Sequence, residues 1–183
     1  MKKLIIGLLC LFGLKGWSQT NDKQSFYKDV IQSQLMEYHG ETKICISVDS
    51  SWINYQLNRL QVDSQKPTLV FKSRNTQDSI QISSKERDSI LAFFSQIDNL
   101  SLTENPTEFE TIASEVVLEH LKKDFQNQVV FISSTLFLRD GAIGIVYFAN
   151  LCCGSFNGNV NFSFYKKENG HWIRWIDIGS GAF

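Results

Sequence analysis

The stretch Val129 to Ile178, VVFISSTLFLRDGAIGIVYFANLCCGSFNGNVNFSFYKKENGHWIRWIDI, decides the fold. Val129 to Leu138 reads as one strand, and Asp140-Gly141 after it is turn chemistry. Ala142 to Ala149 is apolar on both faces, the pattern of a central strand. Cys152 to Gly158 reads as a loop. From Asn159 to Lys166 the residues alternate, with Val160, Phe162 and Phe164 on one side. Glu168-Asn169-Gly170 turns the chain, and His171 to Ile178 forms the last strand. Successive hairpin connections of this kind predict an antiparallel β-meander.

Working towards the N-terminus, the period becomes helical. Ile112, Val116, Val117, Leu121 and Phe125 mark an amphipathic helix, with Glu119 and Lys123 as an i,i+4 pair. Leu100 to Glu108 is a linker. Ser83 with Glu86 spells a capping box that opens a helix to about Asp98, with Ile90, Phe93, Phe94 and Ile97 on one face. Thr68 to Lys72 and Ser79 to Ile82 are short strands around an Asn75–Asp78 turn. Ser50 to Gln61 is weakly helical, Lys43 to Asp49 alternates as a half-buried strand, and Ser25 to Tyr38 carries a helical apolar stripe. The sum is an α+β class: an antiparallel β-meander with two to three packed α-helices in a single domain, residues 19 to 183.

Residues 1 to 18 read differently. Lys2 and Lys3 precede an apolar run from Leu4 to Leu14, and Gly16-Trp17-Ser18 offers small residues where a signal peptidase cuts. The run is shorter than the roughly 20 residues a membrane span needs. A cleavable secretory signal ending near Ser18 is expected, and with it a secreted or periplasmic location. Leu9 before Cys10 argues against lipid attachment at Cys10.

Removing Lys2, Lys3 and Lys15 from 18 basic residues leaves 15 against 19 acidic ones, a net charge of −4. A nucleic-acid surface would be basic and clustered, so none is expected. No transmembrane segment is expected in the mature chain. The 43% hydrophobic content, with fourteen Phe, is enough for a packed core.

Several residues in the C-terminal half fall into a pattern. They are Phe137, Asp140-Gly141, Ile145-Val146-Tyr147, Asn150, Cys153-Gly154, Gly158 and Lys167-Glu168-Asn169-Gly170-His171-Trp172. In this pattern the chain resembles a group of small uncharacterised proteins and lipoproteins exported by Gram-negative bacteria. They share an N-x-C-G loop and a K-x-N-G-x-W hairpin. The resemblance spans roughly Phe125 to Asp177. It implies an exported domain of unknown activity and transfers no functional residue.

Three cysteines follow the signal: Cys45, Cys152 and Cys153. Export permits disulfides, and a Cys45–Cys153 bridge would close a loop of over 100 residues. The resemblance favours Cys153 over Cys152 as the partner. Three reduced, buried thiols are the alternative.

Catalytic signals are weak. His39, His120 and His171 each read as surface histidines, and no nucleophile elbow is present. Glu37, His39 and Glu41 diverge on a helix end, so no metal is expected. Glu104, Glu108, Glu110, Glu115 and Glu119 fit a solvated face better than a paired-acid site. No cofactor is expected. Trp172 and Trp175 should stand on opposite faces of one strand, and with Arg174 they form a candidate binding surface. Two readings remain open. One is a non-catalytic binding or inhibitor-like domain whose partner is another exported protein. The other is a small cell-envelope hydrolase with an unrecognised site.

Overall fold

The structure is a computed structural model. It describes residues 22–35, 40–48, 50–62, 66–96, 101–102, 105, 108–154 and 157–182. The signal, Glu37, His39, Glu104 and Ile97 lie outside these residues.

The helices are α1 (22–34), α2 (Ser50–Val62), α3 (Ser84–Phe94) and α4 (Val117–Lys123). The strands are β1 (Thr42–Cys45), β2 (Thr68–Lys72), β3 (Ser79–Ser83), β4 (Glu110–Ile112), β5 (Gln128–Ile132), β6 (Leu136–Leu138), β7 (Ile143–Cys152), β8 (Asn157–Glu168) and β9 (His171–Ala182). The class is α+β. The main sheet runs β4-β1-β5-β7-β8-β9, with β6 also on β7, while β2 and β3 form a separate hairpin.

The C-terminal strands pair antiparallel, but the sheet as a whole is mixed. β1 lies parallel to both β4 and β5. Long helical connections separate β1 from these partners, and crossovers of that kind produce parallel pairs. The antiparallel expectation is corrected there. The expected strand from Val129 to Leu138 is also two strands, because Ser133, Ser134 and Thr135 interrupt the ladder. The expected helix from Ile112 begins only at Val117; Ile112 itself ends β4 against Cys45.

β7 is buried at all ten positions, as its two-faced apolar pattern demands. On one face Val146 and Phe148 meet α1 through Phe26, Tyr27, Val30 and Ile31. On the other, Ile145 and Tyr147 join Ile90, Phe94 and the β2–β3 residues Leu69 and Ile80. A smaller cluster under α4 holds Cys45, Val117, Leu121 and Val129. Helices therefore cover both faces of the sheet.

The local chemistry of the turns and caps matches the sequence. Ser83 Oγ accepts the Glu86 N–H, and the Glu86 carboxylate accepts the Ser83 N–H at 2.9 Å, completing the capping box. Asn169 (φ 51°) and Gly170 (φ 85°) form the two-residue β8–β9 turn, the left-handed pair that matches strand twist. Phe94 packs edge-on to Phe162 with ring centroids 4.9 Å apart. This seats α3 on the sheet.

The cysteines do not meet. Cys45 pairs with Phe131, and Phe131 with Ala149, so Cys45 sits two strand spacings from β7, about 9–10 Å. Cys152 lies three residues further along β7, opposite Gln128, and Cys153 follows beyond the strand end. A bridge needs Cα atoms within about 7 Å. Cys45, Cys152 and Cys153 stand as thiols, which corrects the Cys45–Cys153 expectation.

Candidate functional site

β9 is an edge strand, and its pairing with β8 is broken twice. Tyr165 pairs with Arg174 but Phe164 with Ile176, so Trp175 is an extra residue. Ser163 pairs with Asp177 but Phe162 with Gly179, so Ile178 is extra too. A β-bulge shifts the alternation of side chains by one. Ile176 and Ile178 thus turn into the α3-side core. Arg174 and Asp177 meet one another on the α1 side.

A polar network results. The Asp177 carboxylate Oδ1 accepts from Arg174 Nε at 2.9 Å and Nη2 at 2.7 Å, and from Ser163 Oγ at 2.8 Å. Arg174 Nη2 also donates to Asn161 Oδ1 at 2.6 Å, and Nη1 to Gln34 Oε1 at 3.2 Å. Asn161 Nδ2 donates to the same Gln34 oxygen at 3.3 Å. The last turn of α1, the end of β8 and the bulged edge are joined by one guanidinium. Tyr165, the cross-strand neighbour of Arg174, is fully buried, and burial pushes its phenol well above the usual range.

This network floors an open cleft of about 670 Å³. Gln34 of α1 forms one wall, and Ser73, Arg74 and Asn75 of the β2–β3 turn form another. β8 contributes Asn159 and Asn161; β9 contributes Arg174, Trp175, Asp177 and Ser180. Trp175 is fixed in place: its Nε1–H donates to Asp78 Oδ2 at 3.0 Å, and Lys166 Nζ stands 4.9 Å from its ring centroid. The Trp175 indole and the Lys166 ammonium hold the Asp78 carboxyl below its ordinary range. A second, smaller cleft of about 450 Å³ lies on the far side of Trp175, beside Glu86 and Arg139.

Of the three residues expected to form a binding surface, the structure brings Arg174 and Trp175 to the cleft and places Trp172 in the core. Trp172 is 1% exposed and packs against Phe26 with centroids 5.0 Å apart. Trp172 packs on the α1 side and Trp175 on the α3 side, so the two stand on opposite faces and both faces are covered.

The histidines divide. His171 is a surface residue, 77% exposed, with Nδ1 3.5 Å from Asp29. His120 is buried, which corrects the surface expectation. Its Nε2 lies 3.4 Å from the Glu41 carbonyl, and its carbonyl accepts from Asn127 Nδ2 at 2.9 Å. That geometry ties α4 to the start of β1. Glu108, Glu110, Glu115 and Glu119 are exposed, with Glu110 paired to Lys43 at 3.1 Å. Among the described residues no three His, Cys, Asp or Glu side chains are grouped to hold a metal. Also among the described residues, no helix is long and apolar enough to cross a membrane.

The sequence missed Gln34, Asn159, Asn161 and Asp177. A signal was present: Asn159, Asn161 and Ser163 alternate opposite Val160, Phe162 and Phe164. Asn159 and Asn161 of that row line the cleft.

The chain matches no protein-family model, no curated protein and no solved structure.

Proposed function

We propose that this chain is an exported, non-catalytic binding domain whose ligand seats in the cleft between α1, the β2–β3 turn and the bulged edge of β9. The observation that carries the reading is the Arg174 fork. One guanidinium is held by Asp177, Asn161 and Gln34, from two strands and a helix. Pre-ordering of this kind lowers the entropy cost of binding.

The lining as a whole is suited to hydrogen bonding: amides, hydroxyls, two guanidinium groups and one carboxylate. Hydrolysis by paired acids needs two carboxyl groups across the bond. The described lining supplies one, Asp177, and it is committed to Arg174 and Ser163. The antiparallel meander of β7 to β9, with helices packed against it, serves as the frame that presents the edge.

Export rests on the Lys2-Lys3 and Leu4–Leu14 pattern and on the resemblance to exported Gram-negative proteins. Cleavage after Ser18 would leave Gln19 first. Mass spectrometry of the native protein reads that directly.

The binding reading is tested with matched baits. Wild-type protein and an Arg74→Ala/Asn159→Ala variant are each incubated with cell-envelope extract, and captured protein, glycan and lipid are compared. Material held by wild type and lost by the variant supports the reading. Identical capture by both, or turnover of chromogenic ester, amide or glycoside substrates by the pure protein, overturns it.

A further inference from the structure

We propose that the cleft takes a neutral sugar, so that the ligand of the binding reading, on which this inference rests, is an oligosaccharide. The cleft has the volume of a small-ligand site, for which about 300–1,000 Å³ is usual, but not the usual apolar lining. Four amides line it, Gln34, Asn75, Asn159 and Asn161; the Gln34 and Asn161 oxygens are held by Arg174, so Asn75 and Asn159 present the whole amide edges. A primary amide offers an acceptor oxygen and two donor hydrogens in one plane. Neighbouring sugar hydroxyls each donate and accept, so a hydroxyl pair matches an amide edge bond for bond. The Arg74 guanidinium on the cleft wall matches such a pair as well, through two donors. The side chains of Asn159 and Ser180 make no hydrogen bond among the described residues, and both sit on the cleft wall.

Trp175 adds the second element of sugar recognition. One face of a pyranose ring is a patch of C–H groups, which is apolar and carries a slight positive charge. Such a patch stacks on the negative face of an indole. Trp175 is the aromatic residue of the described lining; Asp78 and the Lys166 ammonium, which stands over one face of the ring, fix its plane, so the sugar stacks on the face opposite Lys166.

Other ligand classes fit less well. An anion would meet the Asp177 carboxylate, and of the two lining guanidinium groups Arg174 is already matched by it at 2.7 Å, which leaves Arg74 alone to hold a charge. An extended peptide would have to pair with β9, but the bulges at Trp175 and Ile178 break the regular ladder such a strand needs. An apolar ligand would find one indole among polar groups.

The test is a printed array probed with the purified full chain. It carries neutral hexose, pentose and N-acetylhexosamine oligomers beside uronic-acid and sulfated oligomers and a random peptide set. Binding to a neutral oligomer is expected. Asn159→Ala should weaken that binding tenfold or more in solution with the melting temperature unchanged. Raising NaCl from about 0.05 to 0.5 M should leave the affinity within twofold, because a neutral ligand is not screened. Salt-sensitive binding to charged oligomers alone, or peptide binding lost in Asn159→Ala, overturns the sugar while the binding reading stands. Sugar binding indifferent to Asn159→Ala overturns the placement. No binding to any probe, together with identical envelope capture by wild type and the Arg74→Ala/Asn159→Ala variant, overturns both.

Discussion

Arg174 and Asp177 are three residues apart on one strand, yet their charged groups meet at 2.7 Å because the bulges around them re-aim the backbone. In a regular strand, residues three apart point to opposite faces. Arg174→Lys keeps the charge and loses the fork, since one ammonium cannot serve Asp177, Asn161 and Gln34 together. The expected cost is about 1–3 kcal/mol in urea unfolding, with ligand capture abolished. Unchanged stability would mean that the fork does not hold α1 to the edge.

Glu86 serves two structures at once. It closes the capping box of α3 and accepts from Arg139 Nε at 2.7 Å. The Arg139 hydrogen bond, aided by Ser83 and opposed by partial burial, lowers its pKa from 4.5 to about 2. A depressed carboxyl pKa gives stability that is complete above the unfolded value and is lost as pH falls through the folded one. Glu86→Gln keeps a capping side chain and removes the charge. The variant should be less stable by about 1–2 kcal/mol at pH 7. The gap should close between pH 4.5 and about 2. A gap that stays constant across this window contradicts the assignment.

Gly144 leaves room for Phe26. A Cβ at this position would stand 2.3 Å from Phe26 Cε2, so the ring must move. Gly144→Ala should cost about 1–3 kcal/mol through overpacking. On the opposite face, Phe94→Ala should cost about 3–5 kcal/mol by leaving a cavity against Phe162. Both are read from chemical denaturation. If one variant is neutral, the helix on that face does not contribute to the core.

The thiols give a chemical test of the register. Cys45 is buried under α4, and burial pushes its pKa up. Iodoacetamide on the native protein should label Cys153, which is part-exposed, well before Cys45. Denatured protein lacking residues 1–18 should, without reductant, accept three labels, on Cys45, Cys152 and Cys153. A linked peptide pair containing Cys45 and Cys153 would contradict the strand order around β1.

The β2–β3 hairpin, the strands β7 to β9 and the α3 capping box were legible because they depend on neighbours in sequence. Val160, Phe162 and Phe164 alternate, Asn169-Gly170 supplies a left-handed turn, and Ser83 faces Glu86 three residues on. What depends on distant residues was not legible. The parallel place of β1 between β4 and β5 follows from crossovers that no local period records. The burial of His120 follows from Glu41 and Asn127 reaching it. At the cleft, Arg174 and Trp175 are legible as a cation beside a tryptophan on the last strand. Asp177 is not, because regular alternation sets it opposite Arg174 and only the bulges reverse this. Trp172 was grouped with them, but the covering helix α1 places it in the core.

The binding cleft is tested most directly by the ¹H–¹⁵N spectrum of the labelled protein titrated with the low-molecular-weight fraction of a cell-envelope extract. This reads every ligand class in one experiment. The expected result is a joint shift of the Gln34, Asn159 and Asn161 side-chain amides and of the Trp175 indole N–H. The Trp172 indole and the backbone of α4 should stay in place. A spectrum unchanged at saturation, or shifts gathered at α4 and β4 instead, would contradict the account.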